Sequence, residues 1–163
     1  MTIISDEQIA YISDGGVIAY PTSTLPGLGC IPTKEGLDAL FALKSRSADK
    51  PVSLGVVSLQ QVEALVDIDA RMIEFLDAFP RGGLSVIYPA KETQDARLGG
   101  DAIAIRVFDH PAARALAEAV GPVTATSANE AGAEPADSVA EAADQLGLPE
   151  IAIVHGNRAT GPG

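Results

Sequence analysis

Four stretches of the chain end an apolar run with side chains that could bind an anion or a small polar molecule. Tyr20-Pro-Thr-Ser-Thr-Leu-Pro-Gly-Leu-Gly29 sets three hydroxyls, on Thr22, Ser23 and Thr24, just past a short apolar run. Its glycines would let backbone N–H groups approach a ligand, although a Pro/Gly turn with solvent-facing hydroxyls accounts for the same residues. Leu43-Lys-Ser-Arg46, followed by Lys50-Pro51, gathers three cations. They suit a phosphate clamp, with Arg46 as a bidentate fork and Lys44 and Lys50 as point charges. A favourable interaction with a helix C-terminus is the plainer role. Arg106 interrupts the apolar run Ala102-Ile-Ala-Ile-Arg-Val107. It either faces solvent or projects into a cleft to hold an anion, because a buried, unpaired guanidinium is costly. Val123-Thr-Ala-Thr-Ser-Ala-Asn129 delivers Thr126, Ser127 and Asn129 to one loop, where they bind a ligand or satisfy the turn's own backbone.

Several chemistries are missing from these patterns. No histidine stands in a Ser-His-Asp context, and no strand–Ser–helix elbow is present. There is no Walker loop, no G-x-G-x-x-G and no His pair at metal-binding spacing, so no metal ligands are expected. Cys30 is the one cysteine, which excludes an internal disulfide and a Cys-based zinc cluster. His110, at a helix start, reads as structural.

These residues must be positioned by alternating strands and helices. Ser5 and Gln8 have capping-box spacing for a helix over 5–13. Strands are expected at 17–20, 52–57, 84–88, 102–107, 123–126 and 151–154, with residues 21–32 as a shaped loop. Thr33 caps a helix through about Lys44, with Leu37, Leu40, Phe41 and Lys44 on one face. Ser58 with Gln61, and Ser138 with Glu141, repeat the capping-box spacing. An amphipathic helix is expected at 70–78, and Asp109 is expected to cap one at 111–120, where Pro111 fits the first turn. This interleaving predicts an α/β or α+β fold, a twisted sheet with flanking helices, in one domain over residues 1–163.

With 163 residues and 47% hydrophobic composition the chain can bury a full core, built from aliphatics because aromatics are only 4%. Lys plus Arg number 11 against 22 Asp plus Glu, a formal charge of −11, which disfavours general nucleic-acid binding. No basic apolar leader opens the chain and no run of about 18 apolar residues occurs, so a cytoplasmic protein without membrane partners is expected.

The four stretches in this order resemble the YrdC/Sua5 family of threonylcarbamoyl-AMP synthases. The resembling pieces are Gly16-Val-Ile-Ala-Tyr-Pro-Thr-Ser-Thr24 with Gly27-Leu-Gly29, Leu43-Lys-Ser-Arg46 with Lys50-Pro51, Arg81-Gly-Gly-Leu-Ser85, Ile103-Ala-Ile-Arg-Val107 with His110-Pro111, and Thr126-Ser-Ala-Asn129 with Gly132. The resemblance implies the YrdC/RibB-like fold, a mixed sheet around a concave basic cleft. It also implies synthesis of threonylcarbamoyl-AMP and pyrophosphate from L-threonine, bicarbonate or CO2, and ATP. Mg2+ would accompany ATP as substrate, and no cofactor would be tightly bound. A downstream tRNA threonylcarbamoyl transferase complex would use the product for the t6A37 modification, and a weak RNA contact is compatible with the cleft. On this resemblance Lys44 and Arg46 are catalytic. Together with Lys50, Ser85, Ser127 and Asn129 they bind ATP, while Thr22, Thr24, Arg106 and Thr126 bind substrate, Thr22 at the threonine end and Arg106 at a carboxylate or phosphate. The family's loop carries an acid where Ser23 stands and an aromatic where Pro26 stands. Its downstream Pro-Ser-Thr segment would follow Gly161-Pro-Gly163. A diverged paralogue that binds nucleotide or RNA without synthase activity is the second reading of the same pieces.

Overall fold

The computed structural model describes residues 4–71, 74, 85–130 and 132–156. Four helices flank a six-stranded sheet among these residues: α1 (Asp6–Ser13), α2 (Lys34–Lys44), α3 (Pro111–Val120) and α4 (Val139–Leu146). The strands are β1 (Ile18–Tyr20), β2 (Gly27–Gly29), β3 (Ser53–Val56), β4 (Ser85–Pro89), β5 (Ala102–Val107) and β6 (Val123–Ser127). They lie in the order β1-β2-β6-β3-β5-β4, antiparallel throughout except for the parallel pair β3/β5.

Alternation along the strands divides the core between the two faces. On one face Leu28, Leu54, Val56, Ile103 and Ile105 meet Leu37, Leu40 and Phe41 of α2 and Ala142 of α4. On the other face Ile18, Tyr20 and Val123 meet Ile12 of α1 and Ala112, Ala113, Leu116 and Ala117 of α3. This second face is left open toward β4, where Ile87 remains 68% exposed. The register places Ser85, Arg106, Gly55 and Val123 in one row across four strands. Arg106 therefore stands on the sheet face at the boundary between helix cover and open cleft.

Two aromatic rings require glycines beneath them. A Cβ on Gly55 would lie 1.9 Å from Cζ of Phe108, and one on Gly27 would lie 2.7 Å from the Tyr20 ring. Tyr20 and Phe108 meet edge to face, with centroids 5.7 Å apart at 72°, and the Tyr20 hydroxyl donates to the Thr124 carbonyl at 3.1 Å. Gly27 thus seats a protein ring, which is a different use from the ligand approach expected for it.

The helix starts follow their capping signals in part. At α1 the full capping box forms: Ser5 Oγ accepts from Gln8 N, and Gln8 Oε1 accepts from Ser5 N. Thr33 accepts from Gly36 N and Ser138 from Glu141 N. Ser58 makes no such bond, and a 3-10 turn over Leu59–Val62 replaces the expected helix start. Gln61 instead accepts from Val57 N and donates to the Ala117 carbonyl, tying the end of β3 to α3. At α3 the cap is His110, whose Nδ1 accepts from Ala112 N, so Asp109 does not cap.

Two strand expectations are corrected as well. Residues 27–29, expected within a loop, form β2, because the glycines lie flat under Tyr20 and pair with both β1 and β6. Residues 151–154 do not form a strand. A 3-10 turn over Glu150–Ala152 leaves a single bridge from Ile153 to Ala19, and Gln8 Nε2 donates to the Ile153 carbonyl at 2.8 Å. The helix expected at 70–78 lies largely outside the described residues.

Gly55→Ala should destabilise the fold by about 1–3 kcal/mol, since the ring above has no room for a methyl group. Pairing it with Phe108→Leu should recover part of that loss in denaturant melts. Equal stability of Gly55→Ala and the natural protein would show that the ring is not seated on this glycine.

Candidate active site

A cavity of about 260 Å3 opens on the uncovered part of the second sheet face. Thr22, Ser23 and Thr24 form one wall, Arg106, Asp109 and His110 another, and Thr126 and Ser127 a third. Tyr20 and Phe108 supply apolar surface between them. The turn after β1 is held by its own hydroxyl: Thr22 Oγ1 donates to the Leu25 carbonyl at 2.5 Å and accepts from Thr24 N at 3.1 Å. Ser23 is nearly buried, and its Oγ donates to Asp109 Oδ1 at 2.9 Å, fastening this turn to the corner between β5 and α3. Arg106 is half-buried and donates from Nε to Ser85 Oγ at 3.2 Å. Among the described residues no carboxylate lies within ion-pair distance of Arg106, so its guanidinium keeps donors for a ligand.

Lys44 lies beneath the third wall. The i, i+3, i+4, i+7 spacing that puts Leu37, Leu40 and Phe41 in the core carries Lys44 inward with them, and it is only 2% exposed. Its Nζ donates to the Ser127 carbonyl at 2.5 Å and to Thr126 Oγ1 at 3.2 Å. Among the described residues no carboxylate pairs with it. Burial brings its pKa down from 10.5 to about 8, and the like charge of Arg46 adds to the effect.

The other cations expected at this site have a different setting. Ser45 ends α2 in the left-handed conformation (φ 52°) and turns the chain sharply. Arg46 then donates from Nε to the Lys50 carbonyl at 2.6 Å and from Nη2 to the Pro51 carbonyl at 2.9 Å. Its guanidinium lies 6.0 Å from the centre of the Phe41 ring. Arg46 therefore shapes the 46–51 turn, and neither it nor the exposed Lys50 lines the cavity. Asn129 also stands outside the lining. Its Nδ2 donates to the Glu130 and Ala133 carbonyls, while its buried Oδ1 has no partner among the described residues. The turn-satisfying role read for Asn129 is thus present, and an unused acceptor remains beside it.

Thr22, Thr24, Arg106, Thr126 and Ser127 are brought to one cavity, with Ser85 bonded to Arg106 and Lys44 bonded to the wall. Of the Arg81–Ser85 piece only Ser85 falls among the described residues. Asp109 and His110 line the same cavity although neither was singled out as a site residue. A carboxylate just after a strand that bears an inward Arg is the signal that could have marked Asp109. Cys30 is buried with its thiol pushed up to about 11 by burial, which leaves it protonated and unreactive near neutral pH. Among the described residues no three His, Cys, Asp or Glu converge as metal ligands.

Comparison with known proteins follows the same outline. The Sua5/YciO/YrdC family model, described as telomere recombination, matches residues 10–162. A threonylcarbamoyl-AMP synthase of Marinobacter nauticus is 42% identical over 132 residues, covering 77% of this chain and 69% of that protein. A threonylcarbamoyl-AMP synthase of Aliivibrio fischeri is 36% identical over 158 residues, covering 93% and 85%. Among solved structures, P. abyssi Sua5 complexed with L-threonine superposes with a TM-score of 0.82 at 29% identity over 92% of this chain. This chain spans 46% of that longer protein. E. coli YciO gives a TM-score of 0.74 at 25% identity, with 93% of this chain and 76% of that one covered.

The Lys44 setting predicts a pH signature. Between pH 8 and 10.5 the unfolded chain holds a proton that the folded chain has lost, so the contribution of Lys44 to stability rises with pH across that window. Below about pH 8 its desolvation cost is borne in full. Relative to Lys44→Met, the natural protein should gain about 3 °C in melting temperature between pH 7.5 and pH 9.5. A difference independent of pH would show that Lys44 is hydrated.

Proposed function

The chain belongs to the Sua5/YciO/YrdC family, and on that footing we propose that it is a threonylcarbamoyl-AMP synthase. The observation that carries the reading is the convergence of two hydroxyl-bearing walls and Arg106 on one cavity, over a buried lysine with no counter-ion among the described residues.

The proposed reaction joins three substrates. L-threonine and bicarbonate or CO2 give an N-carboxylated amino acid, whose carboxylate attacks the α-phosphorus of ATP and expels pyrophosphate. Transfer at an α-phosphate needs alignment and neutralisation of accumulating negative charge more than a protein nucleophile. The residues of this site are of that kind. Lys44 sets a positive charge directly under Thr126 and Ser127, which line the cavity, and an anion there would be held in a partly dehydrated environment where the interaction is strong. Arg106 offers a fork suited to the carboxylate of the amino acid. Thr22 and Thr24 stand across the cavity as polar contacts for the same substrate. Arg46, Lys50 and Asn129 lie beyond this cavity and would meet the distal phosphates of a longer ligand. Mg2+ would arrive with those phosphates, held by them and by water.

No helix among the described residues is long and apolar enough to cross a membrane. A cytoplasmic enzyme handing its product to a tRNA threonylcarbamoyl transferase complex is the setting proposed. The alternative of a paralogue that binds nucleotide or RNA without this activity has less support, because the relatives matching over most of their length are named as synthases.

Pyrophosphate release from ATP should require both L-threonine and bicarbonate, with Mg2+ present. Lys44→Ala and Arg46→Ala should each lower that release by about 100-fold, through lost charge at the phosphates. Release that ignores threonine, or its absence from folded protein, would overturn the assignment. Native rates in both variants would overturn the site.

A further inference from the structure

We infer that Asp109 is the residue that receives the α-ammonium group of the amino-acid substrate, held in place for this by Ser23; the inference rests on the synthase reading. Free threonine enters as a zwitterion, so its site must satisfy a positive group as well as a carboxylate. Asp109 is the single carboxylate among the described lining residues, and it shares the cavity with Arg106, three residues earlier in the chain. Among the described residues no cation pairs with it. Its Oδ1 accepts from Ser23 Oγ, and Oδ2 has no hydrogen-bond donor among the described residues. A carboxylate positioned on one oxygen and open on the other is suited to an ammonium donor.

Three hydroxyl acceptors at or beside the cavity already take a donor. Thr22 Oγ1 takes the Thr24 N–H, Thr126 Oγ1 takes Lys44 Nζ, and Ser85 Oγ takes Arg106 Nε. The Tyr20 hydroxyl donates into the sheet. Asp109 has no duty at the start of α3 that would explain its place, because His110 makes the cap. Arg106 and Asp109 thus provide the two charges needed for a zwitterion, and Asp109 selects for substrates that carry the amine to be carboxylated.

The test compares L-threonine with (R)-3-hydroxybutanoate, which is the same molecule without its α-ammonium. Binding of each to the full chain is measured by calorimetry or competition, with ATP affinity as a control for an intact fold. The natural protein should bind threonine about 10-fold or more tightly than the hydroxy acid, as expected for one charge-assisted hydrogen bond. Asp109→Asn should erase most of that preference by weakening threonine, while the affinities for the hydroxy acid and for ATP stay within about twofold. Equal affinity of the two ligands for the natural protein, or a preference that survives in Asp109→Asn, would overturn the role of Asp109 alone. Failure of the natural protein to bind threonine at all would overturn the synthase reading and this inference with it.

Discussion

A lysine ammonium buried under the end of a strand, without a counter-ion among the described residues, is the constraint around which this site is arranged. Lys44 reaches that position because it is the last residue of α2 and shares the helix face of Leu37, Leu40 and Phe41. A cation there is tolerated through the Ser127 carbonyl, the Thr126 hydroxyl and the negative end of its own helix. The same bonds hold the end of β6 to α2 across the sheet. An anionic ligand at this wall would supply the missing countercharge, so binding and stability are linked through one residue.

The walls facing that charge depend on close packing of two rings. Tyr20 and Phe108 lie over Gly27 and Gly55, and each needs the absent side chain beneath it. This packing closes the helix-covered half of the second sheet face and stops short of β4. The boundary it creates leaves Arg106 beside open space. Ser23 and Asp109 then join the hydroxyl-rich turn to the far side of the cavity, so the turn's shape is set both by its internal Thr22 bonds and by a contact 86 residues away in sequence.

Arg46 has a structural role at the exit of α2. Its bonds to the Lys50 and Pro51 carbonyls are structural, and they keep three cations of an acidic chain near each other at the exit of α2. Arg97 approaches the same Phe41 ring at 5.8 Å and is paired with Asp95 and Asp38, which braces this helix against the turn before β5. The phosphate-binding side proposed for the site therefore rests on a helix end fixed from two directions.

Helix signals in this sequence were legible where they are local. The Ser5–Gln8 box, the Thr33 cap and the apolar face ending at Lys44 each depend on residues within one or two turns, and each appears as read. The motif residues at strand ends, Thr22, Arg106, Thr126 and Ser127, were also legible, because polar groups after apolar runs mark the rim of a sheet. The structure was needed wherever a residue's partner is distant in sequence. Gly27–Gly29 is a strand because Tyr20 folds over it and β6 pairs with it; Gln61 serves Ala117 in place of a cap; and His110 takes the capping role that leaves Asp109 to Ser23 and the cavity. Sequence alone determined which residue types stand at the strand ends, since that follows from local pattern. Tertiary structure alone decided which of them share a cavity, because only long-range pairing and packing set distances between segments far apart along the chain.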